Sequence, residues 1–530
     1  MNKRLIVLLY ILGAGLAALA ALGQPVPGYM DAEYYVASGQ RLAEGSGFSE
    51  PFLWNYLDDP AGLPHPSHLY WMPLASVVAA FGMKLFGSDS LWAARLPFIL
   101  LSGLLPVLSA NLSLFFLKDK RFTWLAGLLG VFSGVYIAYS SIPETFVLYL
   151  VLGGLVWSVI LASEWESIPA KKWFLRAGAL GILVGLIHLT RADGIIWVAG
   201  GLFWLVWASK ALKSTTNLRV AIIGLVLFIV GYLLMMGAWY ARNLELFGTL
   251  MPAGNGRTLW ITDYNQTFAF PASELTSITW WSAGLEAYLI ARWNALLLNL
   301  KNLVAVQGLV ILLPLMIAGI WQRKQRREIH FAFLMWLGTL TLMTLIFPFA
   351  GSRGGWLHSA TAFQVLLWAS VPAGLERFVS WGQRYRGWQP ERAMPVFAGL
   401  LVITSVALTG WFYLNKVYGD GSPSSKWGYS YQIDKEVGEE LSAFNVPPQA
   451  LVMVNNPPGF YLATGRSSIV IPGGGIEQTI AAADYYNAEY LVLGPRQENL
   501  SDLYENPVDI DGLRYLGDIK NMRIFCFHCQ

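Results

Sequence analysis

Apolar stretches long enough to cross a lipid bilayer recur along this chain, and no other sequence feature constrains its fold as much. A helix needs about 20 apolar residues to cross the hydrocarbon core of a membrane. On that scale the sequence predicts eleven membrane spans, at residues 5–23, 92–117, 122–139, 144–163, 174–189, 194–209, 219–239, 303–321, 330–349, 357–377 and 393–415. The 530 residues are 55% hydrophobic and 13% charged, whereas soluble domains carry about 25% charged residues. The sequence therefore predicts a polytopic membrane protein that is mostly α-helical.

Lysine and arginine residues gather in the short loops on one side of these spans. They are Lys3, Arg4, Lys118, Lys120, Arg121, Lys171, Lys172, Lys210, Lys213, Arg219, Arg323, Lys324, Arg326, Arg327, Arg384, Arg386 and Arg392. Because short cytoplasmic loops are enriched in these residues, this side is expected to face the cytoplasm. With eleven crossings of the cell membrane, the N-terminus lies inside and the C-terminal region outside. Residues 1–23 are expected to remain as an anchor rather than a cleaved signal peptide, because many spans follow them.

Two long loops and a soluble C-terminal segment lie on the opposite, outer side. The loops at 24–91 and 240–302 are expected to contain interfacial helices at Ala32–Glu44, Pro73–Phe86 and Ser273–Leu298. The alternative is that both loops serve only for packing at the membrane interface. Together with the spans, the loops form a predicted transmembrane module over residues 1–415. From 416 to 530 the composition becomes soluble, and apolar runs alternate with helical patterns. This alternation predicts a small extracytoplasmic α/β domain, with strands at Ala450–Val454, Ser468–Ile471 and Glu489–Leu493, helices at Asp434–Phe444 and Ile476–Asn487, and a hairpin at Leu513–Phe527.

Two acidic residues at the outer ends of spans are candidates for catalysis. Asp31 closely follows the first span, and its aromatic surroundings can raise its pKa and suit it to take a proton from a hydroxyl group. The alternative for Asp31 is a helix N-cap. Glu144 opens a later span beside Pro143, where an acid at a helix start is the ordinary alternative. Glu33 would point elsewhere on a helix, so it is a candidate for a structural role or for a substrate contact.

Three arginines at outer ends of spans are candidates for binding a phosphate group. Arg191, Arg242 and Arg353 each carry a planar guanidinium group that suits phosphate oxygens. Several such cations around one cavity would bind an anionic head group and stabilise it as a leaving group. The alternatives are an ion pair with Asp193 for Arg191, and contact with lipid phosphates at the membrane surface for each arginine.

The remaining polar candidates give weaker indications. Tyr34, His68, Tyr70 and His358 are candidate contacts for an acceptor or a donor. His65 and His68 have the spacing of metal ligands, but Pro66 between them argues against a helix, and no metal site is predicted. A role for a divalent ion stays open through Asp58 and Asp59. The pair Cys526 and Cys529 predicts a disulfide or two thiols rather than a zinc site.

A net charge of +3 and the lack of a basic stretch interleaved with aromatic residues argue against nucleic acid as a partner. The sequence also lacks a phosphate-binding loop of the Walker type and the serine and zinc motifs of common hydrolases in a convincing context. These absences leave the outer acids and arginines as the main sources of chemistry.

Ordered sequence elements in the outer loops carry a family resemblance. They are Asp31-Ala32-Glu33-Tyr34-Tyr35, Leu42-Ala43-Glu44-Gly45, His68-Leu69-Tyr70-Trp71-Met72-Pro73-Leu74, Phe86-Gly87, Ala94-Arg95-Leu96-Pro97, Thr190-Arg191-Ala192-Asp193-Gly194, Arg242-Asn243 and Phe247-Gly248. Over roughly residues 1–415 the chain resembles the C-type (GT-C) glycosyltransferases. The resemblance is to the bacterial relatives of protein O-mannosyltransferases and to the lipid A aminoarabinose transferase.

The resemblance implies transfer of a hexosyl or pentosyl sugar from a polyprenyl-phosphate donor, with inversion, on the extracytoplasmic side. Residues 1–415 would then be the catalytic module. Asp31 matches the family's catalytic acid of the first outer loop, and Glu144 falls where a second acid is often found. The chain departs from the lipid A enzymes, which have a lysine where Ser67 and His68 stand here.

The physical argument and the resemblance lead to the same expected partners. An enzyme outside the cytoplasm has no access to nucleotide sugars, so a lipid-linked sugar is the natural donor, and a lipid, glycan or protein of the envelope is the acceptor.

One alternative is a ligase or polymerase that moves whole glycans from a lipid diphosphate. Another is a non-enzymatic transporter or sensor. Transporters tend to have repeated halves and charges near the bilayer midplane, whereas the charges here lie at outer ends.

Overall fold

The computed structural model describes residues 2–162, 165, 168–210, 214–495 and 497–529. Up to Tyr418 the described chain is mainly helical. Its α-helices are α1 (Lys3–Leu22), α2 (Met30–Ala43), α3 (Leu74–Phe86), α4 (Leu91–Ser102), α5 (Leu104–Phe116), α6 (Thr123–Val131), α7 (Thr145–Leu161), α8 (Ala170–Thr190), α9 (Ile195–Ser209), α10 (Thr215–Phe247), α11 (Ala253–Arg257), α12 (Ser277–Ser282), α13 (Gly284–Asn302), α14 (Leu313–Gln322), α15 (Arg327–Thr341), α16 (Pro348–Ala350), α17 (Trp356–Ser359), α18 (Thr361–Arg386) and α19 (Pro390–Tyr418). Lys213 and the last residue of the span predicted at 144–163 lie outside the described residues.

Seven helices of the described chain are long and apolar enough to cross a membrane. They are Lys3–Leu22, Leu91–Phe116, Ala170–Thr190, Ala192–Ser209, Thr216–Phe247, Arg327–Ile346 and Pro390–Tyr418. Three shorter apolar helices accompany them, at Leu74–Phe86, Thr145–Leu161 and Leu313–Gln322. The predicted architecture of a mostly helical, multi-pass membrane protein is thus confirmed, and the number of eleven crossings stays a prediction.

Helix α7 lies at the centre of the membrane region. Its side chains are buried on nearly all sides, and it packs against α5, α8 and α18. A helix that is apolar on every face is stable only when protein or lipid surrounds it. By contrast, α1, α10 and α19 expose many apolar side chains, as lipid-facing helices do. The outer end of α7, where Glu144 stands, is therefore enclosed by other helices.

The span predicted at 122–139 is a helix for only half of its length. Helix α6 ends at Val131, and 3₁₀ turns continue from Gly134 to Tyr139. Gly134 has a φ of +66°, and a Cβ there would lie 2.3 Å from a methyl carbon of Leu309. Since glycine adopts this backbone conformation at little cost, the break is built into the sequence. The 3₁₀ turns after this break connect α6 to the start of α7.

A mixed six-stranded sheet organises the C-terminal region. The strands of the described chain are β1 (Ser49–Glu50), β2 (Phe52–Leu53), β3 (His65–Pro66), β4 (Val452–Val454), β5 (Ser468–Val470), β6 (Tyr490–Leu493), β7 (Leu513–Ile519) and β8 (Met522–Phe527). The strand order is β2-β5-β4-β6-β8-β7, and the first four strands are parallel. Four helices follow α19, namely α20 (Tyr429–Glu440), α21 (Pro457–Thr464), α22 (Ile476–Tyr486) and α23 (Ser501–Glu505). The small α/β region is thus confirmed.

One edge strand of this sheet comes from the first outer loop, which the sequence did not predict. Phe52 and Leu53 of β2 pair in parallel with Ser468 and Ile469 of β5. The hydroxyl of Tyr56 donates a hydrogen bond to the carbonyl oxygen of Val470. The predicted domain boundary at 415/416 stays a prediction, but the sheet it would delimit includes residues of the first loop.

The hydrophobic core beneath the sheet also draws on both outer loops. On one face, Leu53 and Phe270 from the two loops pack with apolar residues of the C-terminal region. On the other face, Val437 and Phe460 belong to a second cluster. The indole Nε1 of Trp427 donates to the carbonyl oxygen of Val26 at 2.8 Å. The two long loops, the first of which carries Asp31, and the C-terminal region are therefore packed together.

Candidate active site at the outer helix ends

Asp31 lies in the first turn of α2 rather than at its N-cap. The helix begins at Met30, and Tyr29 occupies the N-cap without a side-chain hydrogen bond. An acid in the first turn is favoured by the helix dipole. Burial nevertheless raises the pKa of Asp31 from its ordinary 3.8 to about 6, and the charge of Arg191 opposes part of this rise. Asp31 can therefore exchange a proton near neutral pH.

Glu144 is the N-cap residue of α7 and is almost fully buried. Its Oε2 accepts a hydrogen bond from the backbone N–H of Phe146 at 2.8 Å. Its Oε1 accepts one from the hydroxyl of Thr145 at 2.9 Å. Glu144 therefore does cap a helix, as the ordinary alternative proposed, and these bonds fix the direction in which its carboxylate points.

His358 faces Glu144 across the gap between α7 and α17. Its Nδ1 lies 3.2 Å from Oε1 of Glu144 and 3.0 Å from the hydroxyl of Thr145. The imidazole ring stacks on Phe146 with ring centroids 3.9 Å apart. Contacts on two sides hold this ring in place, with Glu144 and Thr145 at its polar edge and Phe146 against its face.

Asp31, Glu144 and His358 come together at one point. One ligand atom from each side chain lies within 4.8 Å of the other two. Two carboxylates and an imidazole are a donor set that fits a divalent ion. A bound ion would neutralise the two carboxylates and polarise an oxygen of a substrate. The sequence did not predict this set, because the three residues are far apart in the chain.

Arg191 supplies positive charge beside this group. Its Nε donates to Oδ1 of Asp193 at 2.9 Å, so the ion pair named as its alternative is present. Asp193 is held in turn by the hydroxyl of Ser359. The Arg191 guanidinium is nevertheless close enough to lower the pKa of Asp31 by its charge. A cation and an acid thus share one side of the site.

Arg353 lies on the turn Gly351–Gly355 and is exposed. Its guanidinium stands over the ring of Tyr264, 4.3 Å from the ring centroid. Burial raises the pKa of the Tyr264 hydroxyl, the charge of Arg353 opposes this rise, and the charge of Asp31 adds to it. Arg353, Tyr264 and Asp31 therefore lie near one another. Gly354 has a φ of +122°, a conformation that only glycine adopts readily, so this turn depends on it.

Tyr70 borders the same neighbourhood. Its ring packs edge-to-face on Trp54 at 5.0 Å. Burial raises the pKa of its hydroxyl to about 12, nearby Tyr264 and Asp31 add to the rise, and the charge of Arg191 opposes it. The structure therefore brings five predicted residues toward one region, namely Asp31, Glu144, Arg191, Arg353 and His358, with Tyr70 at its border.

Arg242 of α10 forms a separate cluster with His68 and Tyr34 of the first outer loop. Arg242 donates to the carbonyl oxygen of Ser67 at 2.9 Å and stacks over Trp239 at 4.5 Å. The ring nitrogens of His68 lie within hydrogen-bond distance of the hydroxyls of Ser67 and Ser76. The Tyr34 hydroxyl accepts from the His68 N–H at 2.7 Å. Substrate contacts by these residues stay predictions.

The remaining candidates have local partners. Glu33 accepts a hydrogen bond from the side chain of Asn456 at 2.7 Å. Asp58 accepts from the backbone N–H of Gly254 at 2.7 Å and lines an outer cavity of about 550 Å³ together with His65 and Asp59. Cys526 and Cys529 form a disulfide.

Thr145 and Tyr264 were not among the predicted site residues. Thr145 bridges Glu144 and His358, and its position directly after Glu144 is the one sequence feature that pointed to it. Tyr264 lies in a long irregular loop, where neither periodicity nor a motif marks it. Only the fold brings Tyr264 to Arg353.

No family model matches the sequence, and a comparison with curated proteins finds no match. Among solved structures, the chain is similar to ArnT from Cupriavidus metallidurans bound to undecaprenyl phosphate. Sequence identity is 12% and the TM-score 0.54, with 99% of this chain and 98% of that chain covered.

A second similar structure is the archaeal oligosaccharyltransferase AglB from Archaeoglobus fulgidus, in complex with an inhibitory peptide and a dolichol-phosphate. The identity is 12% and the TM-score 0.52, with 92% of this chain and 69% of that chain covered. At such identities the similarity is one of fold. The chain has the fold of the C-type glycosyltransferases, which its sequence resemblance predicted.

Proposed function

We propose that the chain is an inverting glycosyltransferase that moves a sugar from a polyprenyl-phosphate donor to an envelope acceptor on the extracytoplasmic face. The observation that carries this proposal is the group formed by Asp31, Glu144 and His358 within 4.8 Å of one another, with Arg191 beside it. An acid with a raised pKa next to a fixed cation suits a reaction that takes up a proton and releases an anion.

In the proposed reaction, Asp31 is the general base. Its carboxylate takes the proton of the acceptor hydroxyl as the hydroxyl oxygen bonds to C1 of the sugar. The bond between C1 and the phosphate oxygen breaks, and the lipid phosphate leaves with the electron pair. Attack from the side opposite the leaving group inverts the configuration at C1. Glu144 and His358 are the groups that border the acceptor hydroxyl and keep the Asp31 side of the site polar.

The departing lipid phosphate needs positive charge where its own negative charge develops. Arg353 is exposed on a turn, and among the described residues its guanidinium lies against the ring of Tyr264 without a hydrogen bond, so it has N–H groups to offer to phosphate oxygens. Arg191 contributes its charge from a fixed position. Arg242 remains the third predicted phosphate contact, although its guanidinium is engaged by the backbone of the first loop.

A lipid-linked donor suits both the location and the fold. The proposed orientation puts the N-terminus in the cytoplasm and the C-terminal α/β region outside, where nucleotide sugars are absent. The two structural relatives described above carry undecaprenyl phosphate and a dolichol-phosphate, which supports a polyprenyl phosphate as the carrier here. The acceptor would be an envelope lipid, glycan or protein with a free hydroxyl group.

Transfer of a whole glycan from a lipid diphosphate is the second candidate, and the similarity to an oligosaccharyltransferase favours it. Analysis of the released lipid separates the two. Release of a polyprenyl monophosphate from a single-sugar donor supports the first candidate, and release of a diphosphate from a glycan donor supports the second.

The test is transfer by the purified protein from radiolabelled undecaprenyl phosphate sugars to an envelope extract. Asp31→Asn should lower the transfer rate by about 10²–10⁴-fold, because general-base assistance has that size. Binding of the donor should stay near the parental value. Glu44→Gln, an exposed acid next to the end of the same helix, is the matched control and should transfer normally. Parental transfer by Asp31→Asn would contradict the assignment.

A further inference from the structure

Glu33 links the catalytic helix to the C-terminal region. It stands two residues after Asp31 on α2, and its side chain is buried with 1% exposure. Its Oε2 accepts a hydrogen bond from Nδ2 of Asn456 at 2.7 Å. Asn456 precedes α21, so this bond joins the first outer loop to a helix more than four hundred residues later in the chain.

The contact between the two helices is close. Asn456 caps α21 by accepting the backbone N–H of Gly459 at 3.3 Å, and its amide N–H₂ is thereby turned toward Glu33. A Cβ on Gly459 would lie 2.6 Å from Oε2 of Glu33, so only glycine lets α21 approach this far. Helix α21 also packs against β2, which comes from the same loop as α2.

The bond matters energetically because Glu33 has few other partners. The other carboxylate oxygen, Oε1, is buried and has no hydrogen-bond partner among the described residues. A buried carboxylate without a donor is costly, so the hydrogen bond from Asn456 stabilises the position of α2 in which Glu33 is buried. Asp434 is a second buried acid near Glu33, and burial raises its pKa well above the ordinary value, with the charge of Glu33 adding to the rise.

The same bond fixes the place of Asp31. A helix rises 1.5 Å per residue and is stiff over one turn, so Glu33 and Asp31 move together. Among the described residues, no side chain donates a hydrogen bond to the Asp31 carboxylate itself. Glu33 is therefore the nearest side chain to Asp31 on α2 that a hydrogen bond holds to the C-terminal region, while Tyr34 next to it is held by the backbone of His68.

We propose that Asn456 is a positioning residue of the transferase. Through Glu33 it holds α2 where Asp31 can reach the acceptor hydroxyl, and the C-terminal region is thereby part of the catalytic apparatus. This inference rests on the proposed function for its effect on turnover.

The test exchanges the donor and the acceptor of this bond. Asn456→Asp keeps an oxygen that caps α21, but it removes the donor and brings a carboxylate to face Glu33. Since small misplacements of a reacting group are costly, kcat should fall by about 10²-fold while KM for the undecaprenyl phosphate sugar changes little. Glu33→Gln retains an accepting carbonyl oxygen for the Asn456 amide, so it should lower kcat by much less than Asn456→Asp does.

The double variant Glu33→Gln/Asn456→Asp restores a bond of opposite polarity, because the glutamine amide donates to the new carboxylate. Its kcat should return close to that of the parent. Asn445→Asp, an exposed asparagine of the same region, is the matched control and should have no effect. Equal unfolding temperatures for all variants would exclude a general loss of structure.

Hydrogen exchange of the α2 amides gives a second measurement that does not depend on sugar transfer. Exchange should be faster in Asn456→Asp and return to normal in the double variant. Unchanged exchange in Asn456→Asp, or a double variant no better than Asn456→Asp, would overturn the inference. If exchange behaves as expected but the parent releases no undecaprenyl phosphate from any donor, the proposed function fails and the link between Asn456 and α2 stands.

Discussion

Burial raises the pKa of the Asp31 carboxyl from its ordinary 3.8 to about 6, close to neutral pH. A base with such a pKa is ionised at neutral pH and still binds a proton well, which is what a hydroxyl nucleophile requires. The same shift costs stability at neutral pH, because the folded state holds the proton of Asp31 more tightly than the unfolded chain does. Asp31→Asn is therefore expected to leave the fold intact.

The pH dependence of transfer should follow from the ionisation of Asp31. The base is active when it has lost its proton, so the rate should be high above pH 6 and fall as the pH drops through about 6, by about tenfold per pH unit. Initial rates at saturating donor across this range would measure the fall, with unfolding temperatures as the control for stability. A rate that stays constant through pH 6, or rises on acidification, would contradict this role of Asp31.

At the residue scale, the sequence indicated the acids, the arginines and the ion pair of Arg191 with Asp193, but not the partners that lie far away in the chain. Asp31 and Glu144 stand out because carboxylates near a membrane surface are costly and lie on one predicted side. The approach of His358 to Glu144, and of Arg353 to Tyr264, joins segments far apart in the chain. No local pattern records such distances, since they result from how the helices pack.

At the scale of elements, the turn Gly351–Gly355 and helix α10 use arginine in different ways. The turn presents Arg353 at the surface, against one aromatic ring. Helix α10 directs Arg242 into the first outer loop, where it donates to the carbonyl oxygen of Ser67. We therefore expect Arg353 to serve the substrate and Arg242 to serve mainly the structure.

Substitution of these two arginines should separate the roles. Arg353→Ala should weaken donor binding by about 10–100-fold, since a hydrogen bond to a charged group is worth about 1.5–3 kcal/mol, and should leave the unfolding temperature unchanged. Arg242→Ala should lower the unfolding temperature, because it leaves backbone acceptors of the first loop unsatisfied. Donor titrations and thermal unfolding would measure both effects. Similar donor affinity for Arg353→Ala and the parent would refute the first part.

The long apolar helices were predictable from hydropathy, whereas the interruptions were not. The predictions for α1, α8 and α19 differ from the structure by a few residues at each end. The turns after α6 interrupt an apolar stretch that is uniform in composition, and Leu309 from a distant segment packs closely on Gly134 at this point. Helix α21 was not predicted, although proline is well suited to the first turn of a helix.

At the scale of the whole molecule, three chain segments together form the six-stranded sheet and the core beneath it. The first outer loop supplies a strand of the sheet, the second supplies Phe270 to its core, and the C-terminal region supplies the rest. The sequence predicted the α/β composition of residues 416–530 correctly. It gave no sign of β2, because two residues are too short to form a recognisable strand pattern.

Removal of residues 416–530 should therefore damage the part that remains. The 1–415 fragment would expose Leu53, Tyr56 and Phe270, which are buried in the intact protein, and we expect it to aggregate in detergent. Coexpression of the two fragments should restore a monodisperse particle, because the missing surfaces are then supplied. Size-exclusion chromatography with thermal unfolding would measure this. A 1–415 fragment with the behaviour and stability of the full chain would mean that the two parts are independent.

Strand β2 also sets an order of events during biosynthesis. The ribosome makes Phe52 about 400 residues before its partner Ser468. At about 5–20 residues per second, the first loop waits about 20–80 s for its neighbour in the sheet. The loop that carries Asp31 is thus made early and completed late, and any chaperone that shields it must act within that interval.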